Sequence, residues 1–269
     1  MLILFGHHLF LSFCFAFITW CIYLKVKNSS IIDINWVLGF GFIATYDYFV
    51  YPSVFLSNVN KVSFFNLYGL IVVVVWIWAL RLATFFLMTR IFKRVEDTRY
   101  SYLKKSYKSH VKFKVLLNYL FQGCLQAILS FVFVAGFHIK MGFNFGSGVF
   151  LCGALIAILG QAIADFQLYK FKLVSESKAV CNVGLWYYSR HPNYFFEVMF
   201  WFCIAGILYF STGVVWCFYA PLLIYLIMRY LTGPLTEKLS IAKRGESYLE
   251  YMNNTPMIFL NILKGSYKK

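Results

Sequence analysis

Apolar positions in this chain come in long unbroken blocks, without the alternation of a half-buried strand. Seven blocks stand out, at roughly 2–24, 31–56, 66–87, 116–137, 147–169, 194–211 and 213–231. A helix crossing a bilayer needs about 20 such residues, and most of the blocks approach that length. A transmembrane barrel would show short alternating strands with polar lumen faces, and continuous runs such as Leu67–Leu80 argue against one. So little separates the last two blocks that they read as a tight hairpin. The first block lacks a basic stretch before it and a small-residue cleavage site after it, so it reads as a retained helix and not as a secretory signal. The expected fold is all-α: a polytopic membrane protein of about seven transmembrane helices in one bundle, with 1–269 as a single integral membrane domain.

Composition agrees with the pattern. Of 269 residues, 61% are hydrophobic and 13% charged, against about half and about a quarter in a soluble domain. The net charge of +15 adds an orientation. Segment 88–115 carries Arg90, Lys93, Arg94, Arg99, Lys104, Lys105, Lys108, Lys112 and Lys114, and segment 170–192 carries Lys170, Lys172, Lys178 and Arg190. Seven more basic residues lie between Arg229 and Lys269, whereas the alternate loops hold Lys61 and Lys140. Positive residues favour the cytoplasmic side. The expected topology is N-terminus out and C-terminus cytoplasmic, in the inner membrane of a bacterium or the endoplasmic reticulum of a eukaryote. The same charge suits anionic lipid headgroups. It flanks helices without forming a domain of its own, which speaks against nucleic acid. The seven cysteines contain no Cys-x-x-Cys and lie mostly inside apolar blocks, where Cys is a small hydrophobe. Neither disulfides nor a metal site is expected.

Polar residues inside such blocks need partners. Arg81 either snorkels to the cytoplasmic interface or serves a polar cavity. Asp33, near Trp36 at the start of the second block, reads first as an N-cap. Asp47 is mid-block, where it pairs with Arg81 or lines a cavity. Glu96, Asp97 and Arg99 read as a solvated mixed-charge stretch. Asp165 and Lys172 are seven apart, about two helical turns, and so share a face. The lysine suits a helix C-terminus; Asp165 does not.

The densest polar cluster is Gly184-Leu-Trp-Tyr-Tyr188-Ser-Arg190-His191-Pro192-Asn193-Tyr194-Phe-Phe196-Glu197. Pro192 suits the first turn of a helix, and a helix N-terminus with Arg190 and His191 beside it is a cradle for phosphate. Asn193 and Glu197 are four apart and share a face. The Glu197 carboxylate can accept from ribose hydroxyls or a carboxamide. Alternatively, Arg190 and His191 hold lipid headgroups, with Glu197 paired to Arg190 or Lys172. Downstream, Thr232-Gly233-Pro234 is expected to break the last transmembrane helix. Tyr248, Tyr251 and Met252 share one face of an interfacial helix, either a surface anchor or a lid.

The Gly184–Glu197 segment resembles the signature of the DUF1295 group, membrane proteins related to steroid 5-alpha-reductase. Asp33-Ile-Asn-Trp36, Glu96-Asp97-Thr-Arg99-Tyr100, Ala164-Asp165-Phe-Gln167-Leu-Tyr-Lys-Phe171-Lys172, Thr232-Gly233-Pro234-Leu-Thr-Glu237 and Tyr248-Leu-Glu-Tyr251 match in order, over about 33–256. One position departs: the group commonly has Gly where Phe196 stands, and the ring there narrows a helix contact or a cofactor pocket. The resemblance implies a seven-helix reductase using NADPH. Its substrate, a lipid or steroid-like enone, enters from the membrane on the side of the N-terminal half. The cofactor binds in the C-terminal half, about 147–260. By motif position the cofactor residues are Asp165, Lys172, Tyr188, Arg190, His191, Asn193, Tyr194, Glu197 and Glu237, with Tyr248 and Tyr251 beside them. An enone also needs a donor for its developing oxyanion. Tyr46, Tyr48, Tyr51 and Tyr119 are candidates, and the sequence does not choose among them.

Two other functions fit parts of the pattern. Isoprenylcysteine and phospholipid methyltransferases resemble the chain in its Arg-His-Pro-x-Tyr element and later Glu, and they bind S-adenosylmethionine. A non-catalytic lipid-binding membrane protein is favoured only by Phe196. Asp165, Lys172 and Asn193 belong to the reductase-like pattern.

Overall fold

In lipid the backbone has no water to bond with, so spanning segments satisfy their own N–H and C=O groups as helices. The computed structural model describes residues 2–55, 67–138 and 143–261, and all regular structure among them is helical. The helices are α1 (Leu2–Val26), α2 (Ile31–Phe55), α3 (Leu67–Phe86), α4 (Thr98–Ser106), α5 (Val111–Ser130), α6 (Phe145–Val174), α7 (Leu185–Tyr188), α8 (Pro192–Thr212), α9 (Tyr219–Leu226), α10 (Gly233–Arg244) and α11 (Glu246–Asn254). Among the described residues, six stretches are long and apolar enough to cross a membrane: Leu2–Val26, Leu67–Ile91, Val111–Phe137, Phe145–Val174, Pro192–Thr212 and Val215–Arg244. The remaining expected span is the 25-residue helix α2. The protein is an all-helical multi-pass membrane protein. Lys61 and Lys140, the lysines of the expected outer loops, lie outside the described residues.

Contacts divide the chain into two compact units, 1–148 with 207–217 and 149–206 with 218–269. In the first, α1 packs on α5 and α2, and α2 on α3 and α5. Helix α1 is inverted relative to a water-soluble helix. Its buried stripe is Leu4, His8, Ser12, Ala16, Thr19 and Tyr23, while Phe10, Phe17, Ile18 and Ile22 face outward. Such a helix is solvated by lipid and keeps its polar groups inside. Close approach is set by Gln126, whose Nε2 donates to the carbonyls of Trp36 (2.7 Å) and Asn35 (3.3 Å) on α2. The side chain lies where a Cβ on Gly39 would stand.

One end of this unit is closed by a charge cluster. Asp33 takes Arg90, Arg99 (3.3 Å) and the Tyr100 hydroxyl (2.5 Å), and Asp97 takes Arg90 (3.1 Å) and Arg99 (2.9 Å). Beside it Glu96 accepts from Lys104 (2.7 Å), the Ser29 amide (2.6 Å) and Ser101 (2.9 Å). Two expectations fail here. Asp33 lies inside the first turn of α2 and not at its cap, because its oxygens are taken by the two arginines. Glu96 and Asp97 are not a solvated stretch: the segment folds back over the start of α2, and Asp97 caps α4 through the Arg99 amide. Burial alone would raise the Asp97 carboxyl, but Arg99 and Arg90 more than offset it and hold it well below the usual 3.8. Glu96 is likewise lowered: Lys104, Ser29 and Ser101 outweigh its burial.

In the second unit, α6 and α8 run antiparallel. Moving up α8, Asn193, Glu197, Cys203 and Gly206 meet Asp165, Gln161, Gly153 and Phe150, moving down α6, and Phe196 meets Gly160 at the level of Glu197. Gly160 explains how Phe196 is accommodated: the ring fills the space a Cβ on Gly160 would occupy. The expected break at Thr232-Gly233-Pro234 is absent. The helix from Val215 runs on to Arg244 through a wide turn, Ile227–Thr232, in which the Gly233 amide reaches back to the Met228 carbonyl. Pro234 has no N–H to leave unpaired, and the wide turn removes the clash that would otherwise kink the helix. A Cβ on Gly233 would lie 2.5 Å from that carbonyl oxygen.

Two outcomes follow from this packing. Arg99→Ala leaves two carboxylates short of a partner and lowers unfolding stability by about 3 kcal/mol, read as a lower Tm in detergent. Asp97 is depressed in the folded state, so its contribution is complete above its unfolded value and lost as pH falls through the folded one. The wild-type Tm therefore drops below about pH 4, and Asp97→Asn flattens that acid limb. Separately, Gly160→Val overpacks the α6–α8 contact and costs about 1–3 kcal/mol, a loss that Phe196→Ala in the same chain partly restores.

Candidate functional site

Pro192 starts α8 as the sequence predicts, and Gly184, at φ +57°, lets the preceding chain turn in against Gln167. The Leu185 amide bonds Gln167 Oε1 at 2.9 Å, and Trp186 Nε1 donates to the Ala164 carbonyl at 2.9 Å. These contacts pin the Arg-His-Pro element to α6. Tyr188 contributes its backbone carbonyl, which accepts from the Asn261 amide at 3.0 Å.

Two polar rungs cross from α6 to α8. Asn193 Nδ2 donates to Asp165 Oδ1 at 3.2 Å. One turn deeper, Gln161 Nε2 donates to Glu197 Oε2 at 2.5 Å and Trp201 Nε1 to Glu197 Oε1 at 3.0 Å. Asp165 and Glu197 are both buried, at 8% and 4% exposure. Asn193 and Glu197 share a face, as their spacing requires. Glu197 accepts from both Gln161 and Trp201. Lys172, by contrast, is exposed, two turns along α6 from buried Asp165.

The second half of the cluster is centred on Glu237 of α10. Its Oε1 accepts from Arg190 Nε at 2.7 Å and His191 Nε2 at 3.3 Å. The His191 ring stacks on Tyr194, with centroids 4.8 Å apart. Arg190 Nη1 also donates to the carbonyls of Met252 and Thr255, each at 2.8 Å, and its amide bonds Pro256 O at 2.9 Å. The guanidinium thus caps the C-terminal end of α11, where carbonyls are otherwise unpaired. Tyr251 donates to the carbonyls of Trp186 and Ser189, and Ser189 Oγ to Ile258 O at 2.9 Å. Tyr248 packs edge-on to Tyr251. Burial, with Glu237 adding to it, pushes the Tyr248 hydroxyl up to about 12, and burial also raises Tyr251, so both remain donors near neutral pH.

Of the sequence-predicted site residues, Asp165, Arg190, His191, Asn193, Tyr194, Glu197, Glu237, Tyr248 and Tyr251 all lie in the second unit, on the two rungs and in the group around Glu237 and α11. Tyr188 takes part through its backbone carbonyl, and Lys172 is exposed. Gln161, Trp201, Ser189 and Thr255 were not anticipated. Gln161 had a signal, being a polar residue in an apolar block four positions before Asp165. Of the tyrosines proposed as donors, Tyr119 is committed to the Ser29 carbonyl at 2.9 Å, Tyr46 to His7 Nδ1 at 2.9 Å, and Tyr48 stacks on Tyr68. The Tyr51 side chain lies outside the described residues. Asp47 accepts from His8 Nε2 at 2.9 Å, so the side chain it meets is that imidazole and not Arg81. No cluster of three metal-ligating side chains occurs among the described residues.

These features define a multi-pass helical membrane protein with a buried polar cluster at the start of one spanning helix. The family model described as a protein of unknown function (DUF1295) matches residues 19–255. The chain belongs to that family. Neither a curated protein nor a solved structure matches it.

Because Arg190 holds α11 as well as Glu237, its removal is felt structurally. Arg190→Ala should raise amide hydrogen exchange across 246–258 by at least about tenfold, the effect of losing about 1.4 kcal/mol. Arg190→Lys should not restore protection, since a point charge cannot span two carbonyls and a carboxylate.

Proposed function

We propose that the protein is a membrane-embedded NADPH-dependent reductase that adds hydride to a conjugated double bond of a hydrophobic lipid or steroid-like enone. The observation that carries the reading is the pair of buried carboxylates, Asp165 and Glu197, one turn apart and each bonded to a neutral side-chain amide. A ligand hydroxyl or carboxamide can replace an amide donor at little cost, whereas it cannot readily displace an arginine. Ribose hydroxyls and a nicotinamide carboxamide are groups of that kind.

The donor set fits the cofactor. Arg190 Nη2 forms no hydrogen bond among the described residues and is available to a phosphate oxygen. Glu237 offsets part of the arginine's charge, so the site is adapted to one phosphate contact and not to a full guanidinium fork. NADPH, when bound, supplies the hydride. The residues of this chain hold and orient: Asp165 and Glu197 accept, Asn193 and Gln161 fix them, and His191 with Tyr194 offers a stacked planar surface. The apolar surroundings of α6 and α8 exclude water, which a hydride donor requires.

Binding to the purified protein tests this directly, with NADPH, NADH and S-adenosylmethionine as ligands. Saturable NADPH binding is expected. Glu197→Gln should weaken it about tenfold or more, the loss of a charge-assisted bond, while leaving the Tm near wild type. Glu197 is the better probe than Arg190, whose loss also frees α11. Binding of S-adenosylmethionine alone would replace the reductase with a methyltransferase. Failure to bind all three would leave a lipid-binding protein.

A further inference from the structure

Two buried oxygens at the opposite end of the first unit from the charge cluster have no hydrogen-bond partner among the described residues: Asp47 Oδ2 and the Tyr68 hydroxyl. Asp47 is 1% exposed and Tyr68 6%. Each is otherwise firmly placed. His8 Nε2 donates to Asp47 Oδ1 at 2.9 Å, and His8 Nδ1 lies 3.1 Å from Ser130 Oγ, with both residues fully buried. The Ser130 hydroxyl is also 3.1 Å from the Ala127 carbonyl; with Nε2–H given to Asp47, the acceptor that completes the chain is His8 Nδ1, and Ser130 donates to it. His8 and Ser130 therefore fix the carboxylate through one oxygen and leave the other to something else. The Tyr68 ring is stacked face to face on Tyr48, with centroids 5.9 Å apart, and occupies the space that a Cβ on Gly136 would take. Tyr48 directly follows Asp47 in α2, so the stack brings the Tyr68 side chain alongside the turn of α2 that carries the carboxylate.

An unmet buried polar atom costs about 1–3 kcal/mol. A single group that resolves both must donate to the carboxylate oxygen and accept from the phenol. A carbonyl or an ether only accepts, and an ammonium only donates; a hydroxyl does both. The four residues sit near the start of α1, in the second half of α2, in the first turn of α3 and at the end of α5. The outward faces there are apolar, with Phe10 and Phe49 exposed. We propose that Asp47 and Tyr68, oriented by His8 and Ser130, form a membrane-embedded binding site for the hydroxyl of a lipid alcohol. The proposal does not rest on the reductase reading, and its test uses no nucleotide.

Tritiated hexadecanol binding to the full-length protein in nanodiscs is the measurement. Saturable binding is expected, displaced by unlabelled hexadecanol but not by hexadecane or by hexadecyl methyl ether. Tyr68→Phe keeps the ring and deletes the orphaned hydroxyl. It should lower affinity about tenfold with no loss of Tm. Asp47→Asn presents an amide N–H₂ where the free oxygen was, while its carbonyl still accepts from His8. Its preference should move from the alcohol to the methyl ether. If Asp47→Asn fails to fold, Tyr68→Phe decides alone. Equal displacement by hexadecane, or wild-type affinity in Tyr68→Phe, overturns the proposal. Absence of saturable binding also overturns it and assigns both oxygens to ordered water.

Discussion

A carboxylate inside a helix bundle has no bulk water to turn to, and each one must find donors within the protein. That constraint organises much of this structure. Asp33 gathers Arg90, Arg99 and Tyr100; Glu237 gathers Arg190 and His191; Glu197 takes Gln161 and Trp201; Asp165 takes Asn193. Except for Trp201, these donors are distant in sequence, so each acid fastens one helix or loop to another. In lipid, apolar side chains gain little by burying against each other instead of against acyl chains. Polar ties and close approaches at Gly39, Gly153 and Gly160 take over the work that hydrophobic burial does in water.

The helices were legible because the bilayer sets their length: a spanning block is long and apolar whatever its partners. The start of α8 was legible because Pro192 restricts where a helix can begin. Partner choice was not. Glu96-Asp97-Thr-Arg99 has the same composition whether it lies in water or folds over α2. Only the placement of Asp33 and Arg90, 57 residues apart, decides which. The Asp165–Lys172 spacing fixed a shared face correctly, but a helical face runs from buried to exposed along its length, and spacing alone does not report depth. Gly233-Pro234 misled for a related reason. Proline forbids one backbone bond, and the chain can meet that demand by widening a turn as well as by ending the helix.

The Arg-His-Pro element serves two needs at once. Arg190 closes the end of α11 and pairs Glu237, and Ser189 and Tyr251 add backbone ties between the same segments. The proposed cradle for a ligand and the anchorage of the C-terminal helices therefore draw on the same few residues. Phe196 fits this economy of space. Its ring, expected to crowd the helix contact, is matched by Gly160 on the facing helix, so bulk on one side is met by absence on the other.

The wide turn at Ile227–Thr232 has a consequence for what lies beyond it. Each residue of an α-helix advances about 100° around the axis, and a wide turn carries one residue more than an α-turn. Downstream of Gly233 the helix is thus out of phase with the helix before it. Glu237 points at Arg190 and His191 only in that shifted phase. A single-residue deletion within 227–232 would make the helix regular and swing the carboxylate about a quarter-turn or more away. At this position the chain encodes direction by counting residues, and the apparent irregularity keeps the count.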